Sequence, residues 1–149
     1  MSDLSELYQE ILLEHNSKPR NFHKLDGATQ SAEGYNPLCG DRITLFLKIE
    51  GGVIADVGFQ GTGCAISRAS ASLMTQSIKG QSAARAAEIF SAFHDMVTDP
   101  RADLDYDTLG DLETLSGVVA FPTRIKCAIL AWHTMRAALE RQADAVSTE

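Results

Sequence analysis

At 149 residues and 44% hydrophobic, the chain is long enough to enclose a core, and one domain over 1–149 is expected. A formal net charge of −7 argues against a general nucleic-acid binder, because phosphate contacts need clustered Lys and Arg. No apolar run approaches bilayer length and no basic-then-apolar leader opens the sequence, so a cytoplasmic protein without a membrane or nucleic-acid partner is expected.

Leu4, Leu7, Tyr8, Ile11, Leu12 and His15 recur at helical spacing behind a capping box of Asp3 and Glu6, which predicts a first helix ending near His15, ahead of Pro19. A polar segment follows, with an edge strand expected over Ala28 to Glu33. Two alternating runs come next: Ile43, Leu45, Leu47 and Ile49, then Val53, Ala55, Val57 and Phe59. For both sets to face one core across a hairpin, a three-residue Glu50-Gly51-Gly52 loop pairing Ile49 with Val53 is expected. That register brings Asp41 opposite Gly61 and gathers Cys39, Asp41 and Cys64 at the open end of the hairpin. Ile66, Ala69, Leu73, Met74 and Ile78 then share a helical face up to Gly80, and Ser82 caps a second helix with Ala86, Phe90, Phe93 and Val97 inward. Arg101 to Ser116 reads as a partly helical excursion anchored by scattered leucines. The last helix has Thr123 as its expected cap, Ile125, Ala128, Ile129, Trp132, Met135 and Leu139 inward, and Cys127 in its first turn. The polar tail 142–149 is expected to fray.

The three cysteines are an odd number for a disulfide framework and in a reducing compartment point to metal or catalysis. In an extended chain Cys39 and Asp41 project from one face, with Gly40 between them. Cys64 falls at a helix start, where free N–H groups favour a thiolate, and Gly61-Thr62-Gly63 leaves room for close approach. Cys39, Asp41, Cys64 and Cys127 thus supply four ligands. Three thiolates with one carboxylate suit tetrahedral zinc, and equally a labile iron-sulfur cluster. His15, His23, His94 and His133 lack ligand spacing to the cysteines, and no histidine is paired with a thiol as a cysteine hydrolase requires.

Tyr8-Gln9-Glu10-Ile11 with His15, Pro19-Arg20-Asn21, Asn36-Pro37-Leu38-Cys39-Gly40-Asp41, Gly61-Thr62-Gly63-Cys64-Ala65-Ile66-Ser67 and Arg124-Ile125-Lys126-Cys127-Ala128 together resemble the IscU/NifU-type iron-sulfur cluster assembly proteins, most closely the SufU branch. The resemblance implies a single α+β domain, a small antiparallel three-stranded sheet with helices packed on it, and Cys39, Asp41, Cys64 and Cys127 as metal-binding positions. Scaffolds of the IscU branch carry a histidine just before the third cysteine, where this chain has Lys126, and the segment from Asp99 to Val119 looks like the insertion marking the SufU branch. That branch implies zinc, sulfur accepted from a SufS-type cysteine desulfurase, and delivery to a downstream cluster scaffold. Cys39, on a turn beside Gly40, is then the expected sulfur acceptor, assisted by Arg124. The alternatives are a scaffold that assembles a 2Fe-2S cluster on the same four residues, and a structural zinc module.

Overall fold

The computed structural model describes residues 3–141 and 146–147. Helix α1, Asp3–Ser17, ends two residues before Pro19, and the expected Asp3 cap lies outside the described side chains. His15 near its end is buried, with Nδ1 2.6 Å from Ser72 Oγ, and the same hydroxyl accepts the Arg20 N–H at 2.8 Å. These bonds fasten α1 to α2 (Ala65–Ile78).

Three strands, β1 (Gln30–Asn36), β2 (Asp41–Glu50) and β3 (Val53–Thr62), form an antiparallel sheet with β2 in the middle. A two-residue strand β4, Val146–Ser147, adds in parallel beside Gly34 and Tyr35. Of the tail for which fraying is expected, 142–145 and 148–149 lie outside the described residues. The first strand runs later than the Ala28 to Glu33 expectation, and its Ala32, Gly34 and Asn36 face inward.

The β2–β3 hairpin corrects the expected register. Gly51 and Gly52 both hold positive φ, 59° and 78°, building a tight two-residue turn with Glu50 opposite Val53 and Ile49 opposite Ile54. The conflict of faces is resolved inside the strand: a bulge leaves Ala55 without a partner, so Lys48 meets Asp56, Leu47 meets Val57 and Leu45 meets Phe59. The buried hydrophobic side chains of β3 are therefore Ile54, Val57 and Phe59, and Val53 turns outward. Ile43, not Asp41, stands opposite Gly61.

Helix α5 (Pro122–Leu139) lies across β1 and β2, α2 packs on β3 and α5, and α3 (Ala83–Thr98) closes the far side. Trp132, fully buried, stacks on Phe93 with ring centroids 4.6 Å apart and donates from Nε1 to Ser70 Oγ at 3.3 Å, so its polar edge is satisfied in the core. Pro122 sits at the first helical position of α5, and Phe121, not the expected Thr123, precedes it as the cap residue.

The excursion is more ordered than the sequence reading. A short helix α4, Tyr106–Leu109, leads into a 3-10 helix over Gly110–Ala120. Leu109, Leu112, Leu115 and Val118 recur every third residue and are all buried; three residues per turn stacks them in one line toward α3 and α5.

Candidate metal centre

The β1–β2 connection places the first two candidate residues. Asn36 pairs with Asp41 across the strand ends, and the tip between them is held by Cys39 N–H donating to the Asn36 carbonyl at 3.3 Å. Cys39 thus sits on a turn, with Gly40 at φ 71°, and meets Asp41 by reversal of the chain, where the extended reading relied on strand alternation. It is exposed; Asp41 is fully buried.

A buried carboxylate is costly unless its oxygens are engaged. Asp41 Oδ1 accepts the Cys64 N–H at 2.8 Å, while Oδ2 lies 3.4 Å from Asn36 Nδ2 and 3.8 Å from Cys64 Sγ. Gly63 makes this approach possible: it holds φ 153°, and a side chain there would overlap Asp41, its Cβ standing 3.0 Å from Asp41 Cα. Cys64 is the N-cap of α2, its sulfur accepting the Ser67 N–H at 3.4 Å, as expected of a cysteine at a helix start.

Cys127 differs from expectation. Because α5 begins at Pro122, this cysteine lies in the second turn, away from the free N–H groups, and is held by burial instead. Its Sγ lies 3.5 Å from Cys39 Sγ, 3.5 Å from the Thr123 carbonyl and 3.6 Å from Asn36 Nδ2. Burial first, then the neighbouring Cys39, Cys64 and Asp41, push its thiol far above the ordinary range. Without a cation the pocket therefore favours a neutral Cys127, and ionising it calls for positive charge nearby.

Donor atoms of Cys39, Asp41 and Cys127 all lie within 4.8 Å of one another, and Cys64 joins them through Asp41. A tetrahedral zinc with Zn–S bonds of about 2.3 Å sets its sulfurs about 3.8 Å apart. The 3.5 Å between the Cys39 and Cys127 sulfurs is close to that spacing, so Cys39, Asp41 and Cys127 fit such an ion, while Cys64 lies outside their group, its sulfur 3.8 Å from Asp41 Oδ2. No disulfide links the cysteines.

Arg124 is exposed on the first turn of α5, with its guanidinium 4.5 Å from the Phe121 ring centroid; among the described residues it bonds none of the three sulfurs. Lys126 is half-buried without an ion-pair partner among the described residues. The histidines have other partners: Ser72 for His15, the Lys24 carbonyl for His23, Asp95 for His94 and Arg136 for His133. The residue that sequence reasoning missed is Asn36, quoted only within the motif that carries Cys39 and Asp41. Carrying the inward alternation of Ala32 and Gly34 two residues further would have found it.

A three-strand sheet under helices thus gathers two thiols and a carboxylate, side chains of metal-ligating type, where strand ends meet the helices. The chain belongs to the IscU/NifU family of iron-sulfur cluster assembly proteins: the NifU-like N terminal domain matches residues 7–141. It is 40% identical over 141 residues to the zinc-dependent sulfurtransferase SufU of Bacillus subtilis, covering 95% of each chain. To the iron-sulfur cluster assembly scaffold protein IscU of Thermotoga maritima it is 42% identical over 136 residues, covering 91% of this chain and 94% of that one. A crystal structure assigned as a cluster assembly scaffold for the SUF system, from Fervidobacterium islandicum, superposes with a TM-score of 0.83 at 33% identity over 90% of this chain and 97% of its own. No helix among the described residues is long and apolar enough to cross a membrane.

Proposed function

We propose that this protein is a zinc-dependent sulfur carrier of the SufU type, which takes sulfur from a SufS-type cysteine desulfurase and passes it to a downstream cluster scaffold in the cytoplasm. The observation that carries this reading is the donor set: two thiols and a buried carboxylate converge, the Cys64 sulfur stands 3.8 Å from that carboxylate, and one thiol, Cys39, is exposed while Cys127 is buried. Cys39, Asp41, Cys64 and Cys127 would hold zinc, which supplies the positive charge that keeps thiolates ionised in a partly buried site. The 40% identity to the Bacillus SufU supports the choice of metal and role.

The chain's own residues account for the transfer. Cys39, alone on a turn, is the acceptor: its thiolate attacks the outer sulfur of the donor's persulfide, the donor S–S bond breaks, the donor cysteine leaves as thiolate, and Cys39 carries the new persulfide. Cys64 and Cys127 stay anchored, one by its helix cap and the other by burial. Arg124, exposed one turn before Cys127, offers a cation to the incoming anionic sulfur. Leu38 and Phe121, 64% and 47% exposed, give the docking partner apolar surface beside Cys39 and Arg124.

The second reading, assembly of a 2Fe-2S cluster on the same residues, is supported by the similarity to the Thermotoga IscU. Metal analysis after expression with both iron and zinc available separates the two: about one zinc per chain supports the carrier, and a stable coloured cluster in preference to zinc supports the scaffold. Incubation with desulfurase and cysteine, followed by mass spectrometry, tests the acceptor. Cys39→Ser should retain zinc and take up no sulfur; a persulfide on Cys64 or Cys127 with Cys39 unmodified would overturn the assignment. Zinc binding without any sulfur uptake would leave a structural zinc module.

A further inference from the structure

Asn36 is fully buried at the end of β1, and what it faces orients its amide. Nδ2 lies 3.4 Å from Asp41 Oδ2 and 3.6 Å from Cys127 Sγ; turned over, the amide would set its oxygen against a carboxylate oxygen. The orientation has a cost. It leaves Oδ1 buried without a hydrogen-bond partner, a condition no other buried side-chain oxygen or nitrogen shares among the described residues. A fold that keeps an orphaned acceptor must gain from the donor half of the same amide, and donors gain most against charged acceptors. Both acceptors here carry negative charge once a cation ionises the site. The backbone carbonyl of Asn36, meanwhile, accepts the Cys39 N–H at 3.3 Å, so one residue reaches Cys39, Asp41 and Cys127.

We propose that Asn36 is a positioning residue of the metal centre, its amide binding the Asp41 carboxylate and the Cys127 thiolate together. It thereby fixes the angle at which Asp41 faces the sulfurs and withdraws electron density from Cys127. Closing the turn is left to its backbone, which survives replacement of the side chain. The inference rests on the zinc reading proposed above.

The test compares full-length wild type, Asn36→Leu and Asn36→Asp, each stripped of metal and titrated with zinc against a chelator and with cobalt as a spectroscopic probe. Asn36→Leu keeps the branched four-atom side chain, though with bulkier methyl ends, and removes both donor and orphaned acceptor. Its zinc affinity should fall about tenfold to a hundredfold, the range usual for lost partners of metal ligands. Its thiolate-to-cobalt charge-transfer band should move to longer wavelength, because a thiolate without a hydrogen bond gives up its electrons more readily. The metal-free form should unfold at the same denaturant concentration as wild type or a higher one. Asn36→Asp, with the same shape but no amide donor, should shift the band the same way at a pH where the new carboxylate is ionised; it carries the test if the leucine variant does not fold. A metal-free form weakened in both variants with an unmoved band would show a structural role only and overturn the inference, as would affinities within twofold of wild type. Wild type that binds neither zinc nor cobalt would overturn the metal reading itself.

Discussion

Replacing Gly63 by alanine probes the geometry on which the site depends. Two costs add. Gly63 holds φ 153°, a conformation that strains any residue with a side chain by about 1–3 kcal/mol. The new methyl would also overlap the Asp41 carboxylate, whose Cγ would lie 3.0 Å from it, forcing apart the Cys64 N–H and Asp41 Oδ1 that now bond at 2.8 Å. A hydrogen bond to a charged group contributes about 1.5–3 kcal/mol. The sum is about 2.5–6 kcal/mol, a large part of the stability of an ordinary domain. Gly80→Ala is the control: φ is 84° there, but nothing lies within 4 Å of the added carbon, so only backbone strain of about 1–2 kcal/mol applies. Urea unfolding in the presence of a chelator, followed by fluorescence of the single Trp132, measures both variants without metal. Zinc competition then reports whether Asp41 still faces the sulfurs, and Gly63→Ala should bind the ion more weakly than Gly80→Ala. A Gly63→Ala variant that unfolds no earlier than Gly80→Ala and binds zinc like wild type would refute the argument that this glycine seats Asp41.

Burial, the largest cause, together with Arg20, lowers the pKa of His15 from its ordinary value of 6.5, against weaker opposing effects of Glu14 and Asp111. The unfolded chain then binds the proton more readily than the folded one, so this contribution is fully present above about pH 6.5 and is lost as pH falls below it. The metal-free protein should unfold at lower urea at pH 5.5 than at pH 7.5, and His15→Gln should reduce that difference; His133, lowered mainly by its own burial, supplies part of what remains. An unchanged pH slope in the variant would remove His15 from the account. Leu112→Ala, in the buried line of the 3-10 helix, should cost about 2–5 kcal/mol by urea unfolding, and a loss under 1 kcal/mol would show that the line is not part of the core. Asp103 and Asp107 are exposed on the acidic excursion, whereas Asp105 caps α4 through Thr108. Neutralising Asp103 and Asp107 together should slow association with a basic desulfurase surface and weaken its salt dependence, measured by stopped flow; identical rates at every salt concentration would exclude this loop from the interface.

Much of the fold, and the convergence of Cys39, Asp41 and Cys127, were legible along the chain because the signals are local. Helical spacing marked α2, α3 and α5, a cysteine at the head of an apolar stripe became an N-cap, and two glycines before it allowed the close approach of a neighbouring strand. What escaped depended on competition between distant segments. Alternation along β3 is compatible with an extra residue at the turn or within the strand, and only packing of Ile54, Val57 and Phe59 under the helices selects the bulge at Ala55. The leucines of 109–118 have a period of three that falls between the usual periods of helix and strand, and their line is stable only because α3 and α5 receive it. Cys127 owes its character to burial among Cys39, Cys64 and Asp41, residues remote in sequence. Asn36 is likewise a turn residue by local chemistry and becomes the donor to a carboxylate and a sulfur only when α5 closes over β1. Residue types and spacing determined which groups are available to hold a metal; the tertiary structure decided which of them are buried, which is exposed, and what supports them, because desolvation and charge proximity arise only when separate elements come together.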